Sequence, residues 1–241
     1  MIMTFNRIEL RTMDYILNGL FQAIQLLIHG DAETYSAVAA TLKVSTGSMI
    51  ASLLIGIPIG FLLGHHDFPG KKHVRTLVDT LMSLPTVLIG LLVYALLTHR
   101  GPLGNLGLLF TLEGVAIGQT LLALPVVIAL TAASIESMDE KLRIALISLG
   151  ADRKQIVLST LWEARYGMLA ASMNAYGRVM TEVGIAMMVG GNIKWHTRTI
   201  TTAIALETSK GQFVMGIALG LILMAIAAVV NISLSFLRNR A

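Results

Sequence analysis

The fold is decided by residues 44–64, whose sequence is VSTGSMIASLLIGIPIGFLLG. This stretch contains no Asp, Glu, Lys, Arg or His. An α-helix needs about 20 apolar residues to cross the hydrocarbon core of a bilayer, so the stretch predicts a transmembrane helix. Three more stretches lack these residue types and are long enough for the same role: residues 80–98, 114–135 and 211–237.

Two weaker stretches complete the predicted set of membrane helices. Residues 166–190 are apolar apart from Arg178 and Glu182, the only full charges near the middle of any predicted span. Residues 16–29 form a shorter stretch whose apolar side chains recur at helical spacing, which predicts an amphipathic helix that either lies in the interface or crosses the bilayer. The sequence therefore predicts an all-α polytopic membrane protein with five core transmembrane helices and a short N-terminal helix.

Prolines and glycines inside these stretches predict local features of the helices. A proline removes a backbone hydrogen bond and kinks a helix, and we expect this at Pro58, Pro85 and Pro125. Glycines four residues apart let two membrane helices approach closely. Such a packing face is predicted at Gly56, Gly60 and Gly64.

The composition points to the same class of protein. Of the 241 residues, 55% are hydrophobic and only 13% are charged, and the mean hydropathy is +0.74. A soluble domain averages roughly 25% charged residues. The absence of cysteine excludes disulfides, thiol nucleophiles and thiolate metal sites. The aromatic content of 6%, without interleaved basic residues, argues against a nucleic-acid partner, and we predict no metal site and no cofactor.

Positive charge assigns the two sides of the membrane, because loops rich in Lys and Arg stay in the cytoplasm. Basic residues are concentrated in residues 65–75, in residues 136–165 and at both termini, which we predict to be cytoplasmic. The intervening loops are poor in basic residues, except residues 191–210, which carry Lys194, Arg198 and Lys210. We interpret the net charge of +4 as this sidedness signal, and a basic outer loop suits a pathway for an anion.

The most informative loop is residues 136–165. Leu142, Ala145, Leu146 and Leu149 share one face of a predicted helix, which Gly150 ends in the manner of a C-cap. Asp152 can cap a second helix that begins directly after it. A helix, a glycine turn and a short helix between two spans make a rigid protrusion, which suits docking better than catalysis.

This loop resembles the EAA loop of type I ABC importer permeases, in which it forms the coupling helix that docks on a cytoplasmic ATPase. The resemblance implies that the coupling residues are Ala145, Leu149, Gly150, Ala151, Asp152 and Arg153. Two positions depart from the family pattern. Ile144 stands where a glutamate is usual, and Glu163 stands where a proline often ends the motif.

Other motifs are similar to the molybdate, tungstate and sulfate group of these permeases, and to its tungstate members in particular. They are SLPTVLIGLLVY at 83–94, RGPLG at 100–104, YGRVMTEVG at 176–184, MVGGNI at 188–193 and TRTITTAIALETSKG at 197–211. The resemblance implies a tungstate-uptake permease, with molybdate or sulfate as alternative substrates, in a bacterial or archaeal plasma membrane. It also implies two domains: an N-terminal arm with the first helix at residues 1–33, and a type I transmembrane domain at residues 34–237.

The resemblance further implies partners: a separate ATPase, an extracytoplasmic binding protein, a second copy of this chain and the surrounding lipid. The sequence agrees on one point, since it contains no Gly-x-x-x-x-Gly-Lys-Ser/Thr phosphate-binding loop. The chain is therefore expected to be a transport subunit that performs no catalysis itself. A membrane-bound enzyme or a secondary transporter is a less favoured alternative, because neither a titratable cluster nor a coupling-ion site is evident.

The predicted translocation pathway contains polar residues from two places. Arg178 and Glu182 are four residues apart and would share one face of a helix, where they form either a structural ion pair or part of an anion pathway. Asn192, Thr201 and Thr202, together with Arg198, supply groups that can bond an oxyanion.

Overall fold

The computed structural model describes residues 2–137 and 140–240, with side chains described at 15–137, 144–233, 235 and 236. These residues form α-helices and one 3₁₀ helix, without a strand among them, which confirms the all-α prediction. The helices are α1 (Ile2–Ile28), α2 (Ala32–His65), α3 (Lys71–Met82), α4 (Thr86–Leu97), the 3₁₀ helix Gly104–Leu106, α5 (Leu112–Glu136), α6 (Glu140–Ser148), α7 (Arg153–Glu163), α8 (Arg165–Met180), α9 (Gly184–Gly190), α10 (Ile200–Ser209) and α11 (Phe213–Arg240).

Three helices in the described chain are long and apolar enough to cross a membrane by themselves: α2, α5 and α11. Of the three, α5 is the most deeply buried in the protein and α11 the least. The α2 helix begins where the Asp31 carboxylate accepts a hydrogen bond from Thr34 N at 2.7 Å, which satisfies an otherwise unpaired backbone donor. Both α2 and α5 continue through an internal proline, Pro58 and Pro125 respectively.

The predicted glycine face is confirmed, since it packs α2 directly against α5. A Cβ atom added at Gly60 would lie 2.7 Å from Ile128 O, and one at Gly64 would lie 2.8 Å from Ala132 O. Gly56 is equally close to an α5 valine side chain. The two backbones therefore approach more closely than any larger side chain would allow.

Residues 80–98 do not form one kinked span as expected. The chain leaves the helical path at residues 83–85, here called the first break, and α3 and α4 meet at an angle of 95°. Pro85 explains the break, because it cannot donate to the preceding turn and disfavours a helical conformation at the residue before it. Pro85 caps α4 instead of lying inside a continuous helix.

Residues 166–190 are also divided. Helix α8 ends at Met180 and α9 begins at Gly184, so residues 181–183 form a second break. The carboxylate of Glu182 is buried and accepts a hydrogen bond from Ile185 N at 3.0 Å. Glu182, one of the two charged residues inside the predicted span, therefore accepts a backbone hydrogen bond at the start of α9.

The N-terminal helix is longer than predicted, since α1 covers Ile2–Ile28 whereas the pattern indicated residues 16–29. It packs against α11. Its described part is amphipathic as predicted, with Ala23 buried and exposed apolar side chains at Leu17, Phe21 and Ile28.

Candidate coupling loop and translocation pathway

The loop between α5 and α8 has the predicted helix–turn–helix structure. Gly150 has a φ of 78°, a conformation that glycine adopts without strain, and Ala151 N donates to Leu146 O at 3.0 Å to close the end of α6. Asp152 and Gln155 form a capping box at the start of α7, in which Gln155 N donates to Asp152 Oδ1 at 2.7 Å and Asp152 N donates to Gln155 Oε1 at 2.8 Å.

This loop presents an apolar surface to its surroundings. Leu149, beside the glycine turn, is 83% exposed. The other large exposed apolar side chains of the loop are Ile144, Ile147, Leu158 and Trp162. Leu142, part of the predicted helical face, lies outside the described side chains. Several large apolar side chains exposed on one loop are typical of an interaction site.

The loop is joined to the transmembrane region without a flexible linker. A single residue, Ala164, separates α7 from α8, and its side chain is buried. The guanidinium of Arg165 stacks over the rings of Trp162 and Tyr166, with distances to the ring centres of 4.5 and 4.2 Å. These contacts hold the end of α7 to the beginning of α8.

The two breaks lie next to each other. Arg178 Nη2, near the end of α8, donates to Met82 O at 3.0 Å, and Met82 is the last residue of α3. On the other side of the breaks, α9 packs on α4 so closely that a Cβ at Gly90 would lie 3.2 Å from Ile185 Cα. Discontinuous helices with adjacent breaks are common along transport pathways.

The expected pairing of Arg178 with Glu182 is wrong. Within the described side chains, Arg178 bonds to the Met82 carbonyl and Glu182 to the Ile185 amide, and no ion pair joins the two. The prediction assumed one continuous helix, but the second break begins between the two residues. They consequently lack the shared helical face on which the pairing depended.

The basic outer residues form ion pairs with a residue that the sequence reasoning missed. Glu33, in the first turn of α2, pairs with Arg198 and also with Lys194, the latter at 2.6 Å. Arg198 Nε additionally donates to Asn192 Oδ1 at 3.1 Å. The structure thus brings Asn192 and Arg198 together as predicted, but the charge of Arg198 is paired with that of Glu33. No local pattern could have indicated this, since Glu33 and Arg198 are 165 positions apart.

The predicted threonines serve mainly as internal hydrogen-bonding groups. Thr202 closes a capping box with Thr199 at the start of α10. Thr201 Oγ1 donates to Glu182 O at 2.9 Å and so connects α10 to the second break. Thr201, Thr202 and Glu182 are all buried, whereas Arg178, Asn192 and Arg198 keep part of their surface accessible. No cluster of three or more potential metal ligands occurs within the described residues.

A comparison with known protein families agrees with the prediction from the sequence and with the fold. A family model described as binding-protein-dependent transport system inner membrane component matches residues 56–241, about three quarters of the chain. This chain belongs to that family. It is a multi-pass membrane permease of an ABC importer, and it works with a separate ATPase and a substrate-binding protein.

Three relatives show how similar this permease is to individual members of the family. The permease is 48% identical over 219 residues to the tungstate uptake system permease protein TupB of Campylobacter jejuni, which covers 91% of this chain and 92% of that protein. It is 35% identical to TupB of Peptoclostridium acidaminophilum, with 91% and 96% covered. The identity to the molybdenum transport system permease protein ModB of Escherichia coli K12 is 28%, with 74% and 82% covered.

The fold of the permease is that of a solved importer. It matches the MetNI methionine ABC transporter in an inward-facing form with a TM-score of 0.70 and 18% identity, covering 86% of this chain and 95% of that one. Together with the family match, this confirms the resemblance to type I ABC importer permeases. The permease is accordingly a transport subunit rather than an enzyme.

A second feature that the sequence reasoning missed connects three helices of the permease near the second break. Gln119 of α5 is buried, and its amide nitrogen donates to Val179 O of α8 at 3.3 Å. Its amide oxygen accepts from Ser48 Oγ of α2, also at 3.3 Å. A glutamine in an apolar stretch was the only sequence signal, and it does not indicate which helices the side chain joins.

Proposed function

We propose that this chain is the permease of a tungstate importer and forms the membrane pathway for tungstate. The observation that carries the proposal is the 48% identity, over nearly the whole chain, to a tungstate permease, against 28% to a molybdenum permease. The motifs at 176–193 and 197–211 support the same substrate. Molybdate and sulfate are the alternatives, because they are tetrahedral dianions like tungstate.

The coupling loop docks on the ATPase in this proposal. Ala145, Leu149, Gly150, Ala151, Asp152 and Arg153 are the residues assigned to that contact. Support comes from the exposed apolar surface around Leu149, from the rigid caps at Gly150 and Asp152, and from the direct connection of α7 to α8. We further propose that two copies of the chain form the pathway between them and that residues 1–33 and 34–237 are separate functional parts.

The pathway itself passes the two adjacent breaks. The assigned residues are Arg178, Glu182, Asn192, Arg198, Thr201 and Thr202. Glu182, Thr201 and Thr202 are buried and bonded within the protein, so their proposed role is to hold the second break and α10 in place. Arg178, Asn192 and Arg198 are partly exposed, so their proposed role is contact with the anion.

Reconstitution tests this function directly. The permease, its ATPase and its binding protein are placed in liposomes, and ATP hydrolysis and anion uptake are measured with tungstate, molybdate and sulfate. The proposal expects uptake and stimulated hydrolysis with tungstate. If molybdate or sulfate is transported and tungstate is not, the substrate assignment is wrong while the importer assignment stands.

A further inference from the structure

One lysine on the surface of α2 has no partner among the side chains that the structure describes. Lys43 is exposed, and within the described side chains it makes no hydrogen bond or ion pair. It directly precedes the charge-free stretch 44–64. At 1.5 Å per residue, Lys43 lies about 33 Å along α2 from His65, close to the full thickness of a hydrocarbon core of about 30 Å. With the assigned orientation, Lys43 therefore stands at the outer end of the membrane-spanning part of α2.

The surface around Lys43 is polar and open. Thr46 and Gly47 are three and four residues further along α2, on the same helix face, and both are exposed. The Thr46 hydroxyl lies 3.3 Å from the Tyr176 hydroxyl of α8. A Cβ added at Gly47 or at Gly177 would meet no atom within 4 Å, so there is free space on both helices. We call this surface, Lys43, Thr46, Gly47, Tyr176 and Gly177, the α2–α8 polar face.

Three other basic residues of this half of the protein are paired with acidic residues, whereas Arg100, in the loop between α4 and α5, is exposed and makes no hydrogen bond or ion pair within the described side chains. Arg198 and Lys194 pair with Glu33, and Lys210 pairs with Glu207. A lysine at the end of a membrane-spanning helix extends its ammonium group to the water at the interface, where it is accessible to an anion. The Thr46 and Tyr176 hydroxyls near it are polar groups, which face water more favourably than lipid.

We propose that Lys43 supplies the positive charge that the oxyanion meets at the outer end of the pathway, with the Thr46 and Tyr176 hydroxyls as hydrogen-bond donors beside it. This assignment rests on the proposed function. A single lysine suits transit, because a flexible point charge attracts a dianion without enclosing it as a bidentate arginine site would. Conduction requires sites that bind well enough to admit an ion and weakly enough to release it.

Uptake by variants in the reconstituted system tests the role of the charge. K43Q is expected to reduce the maximal uptake rate at least tenfold, K43R to retain at least half of it, and K43E to fall below K43Q. The matched control is K72Q, which removes an exposed lysine of α3 on the cytoplasmic side and should leave uptake within twofold of the wild type. Normal uptake by K43Q, or equal loss in K43R and K43Q, would overturn the proposal.

The variants are compared with whichever oxyanion the wild type imports. Transport of molybdate in place of tungstate therefore contradicts the substrate assignment alone and still tests Lys43, whereas transport of no oxyanion contradicts both. Gel filtration with the ATPase shows whether each variant is assembled.

A labelling experiment reports on Lys43 even if the charge variants assemble poorly. The chain contains no cysteine, so K43C provides a single thiol without background. We expect a membrane-impermeant, negatively charged methanethiosulfonate to modify K43C and millimolar oxyanion to slow the reaction. The matched site is L54C, an exposed apolar position further along α2, which should react far more slowly. Lack of reaction at K43C would place the side chain in lipid and overturn the proposal.

Discussion

The exposed leucine beside the glycine turn offers the sharpest test of the coupling loop. Leu149 is 83% exposed, so L149A should change the free energy of unfolding by less than about 0.5 kcal/mol. Docking on the ATPase would bury this side chain. Truncation to alanine removes three carbon atoms, and at about 0.8 kcal/mol per buried methylene the binding free energy should weaken by about 2 kcal/mol. The dissociation constant should then rise roughly 30-fold.

The measurement is the affinity of the purified ATPase for the permease in nanodiscs, for example by biolayer interferometry. L106A is the matched control, since Leu106 is a 61% exposed leucine in the 3₁₀ helix at the opposite end of the neighbouring spans. L106A should bind the ATPase like the wild type. Unchanged affinity in L149A, or the same loss in both variants, would show that this surface does not dock on the ATPase.

Three further substitutions test local features of the structure. G150A places a side chain at a φ of 78° and should destabilise the turn by about 1–2 kcal/mol. The expected result is weaker binding of the ATPase with an unchanged circular dichroism spectrum. Binding as tight as that of the wild type would contradict this. G60L should lower the thermal unfolding temperature, since overpacking costs about 1–3 kcal/mol. The control G220A adds a methyl group in open space and should leave the unfolding temperature unchanged. Equal unfolding temperatures of the two variants would refute the close packing of α2 on α5. Q119L removes two cross-helix hydrogen bonds of about 0.6 kcal/mol each, with a maximum near 1.7 kcal/mol, and leaves Val179 O with backbone donors alone. It should therefore lower both the unfolding temperature and the uptake rate, and a loss of neither would mean that the bonds are not formed in the membrane.

The sequence predicted the features that depend on neighbouring residues. The apolar stretches indicated α2, α5 and α11 directly, because helix length and hydrophobicity are local properties. The coupling loop was predicted in detail for the same reason. The cap at Asp152 needs only residues up to three positions away, and the turn at Gly150 needs only one residue that tolerates a positive φ.

Features that depend on distant residues were predicted poorly. The pairing of Arg178 with Glu182 followed from a helical spacing that the second break interrupts. Glu33 escaped notice because its partners, such as Arg198, are far away in the chain. Lys43 lies just outside a charge-free stretch, and only the folded structure shows that no described acidic side chain pairs with it.

Because a single residue joins α7 to α8, movement of the cytoplasmic loop can displace the far end of α8 inside the permease. Helix α8 has 16 residues and is therefore about 24 Å long. If α7 and α8 tilt as one body by about 10°, the far end of α8 travels about 4 Å, more than the width of a water molecule. The far end of α8 is hydrogen-bonded to α3 through Arg178 and to α5 through Val179 O, so such a displacement would either move those helices or break these bonds. The length of α8 thus determines how large a displacement at its far end results from a given tilt of α7.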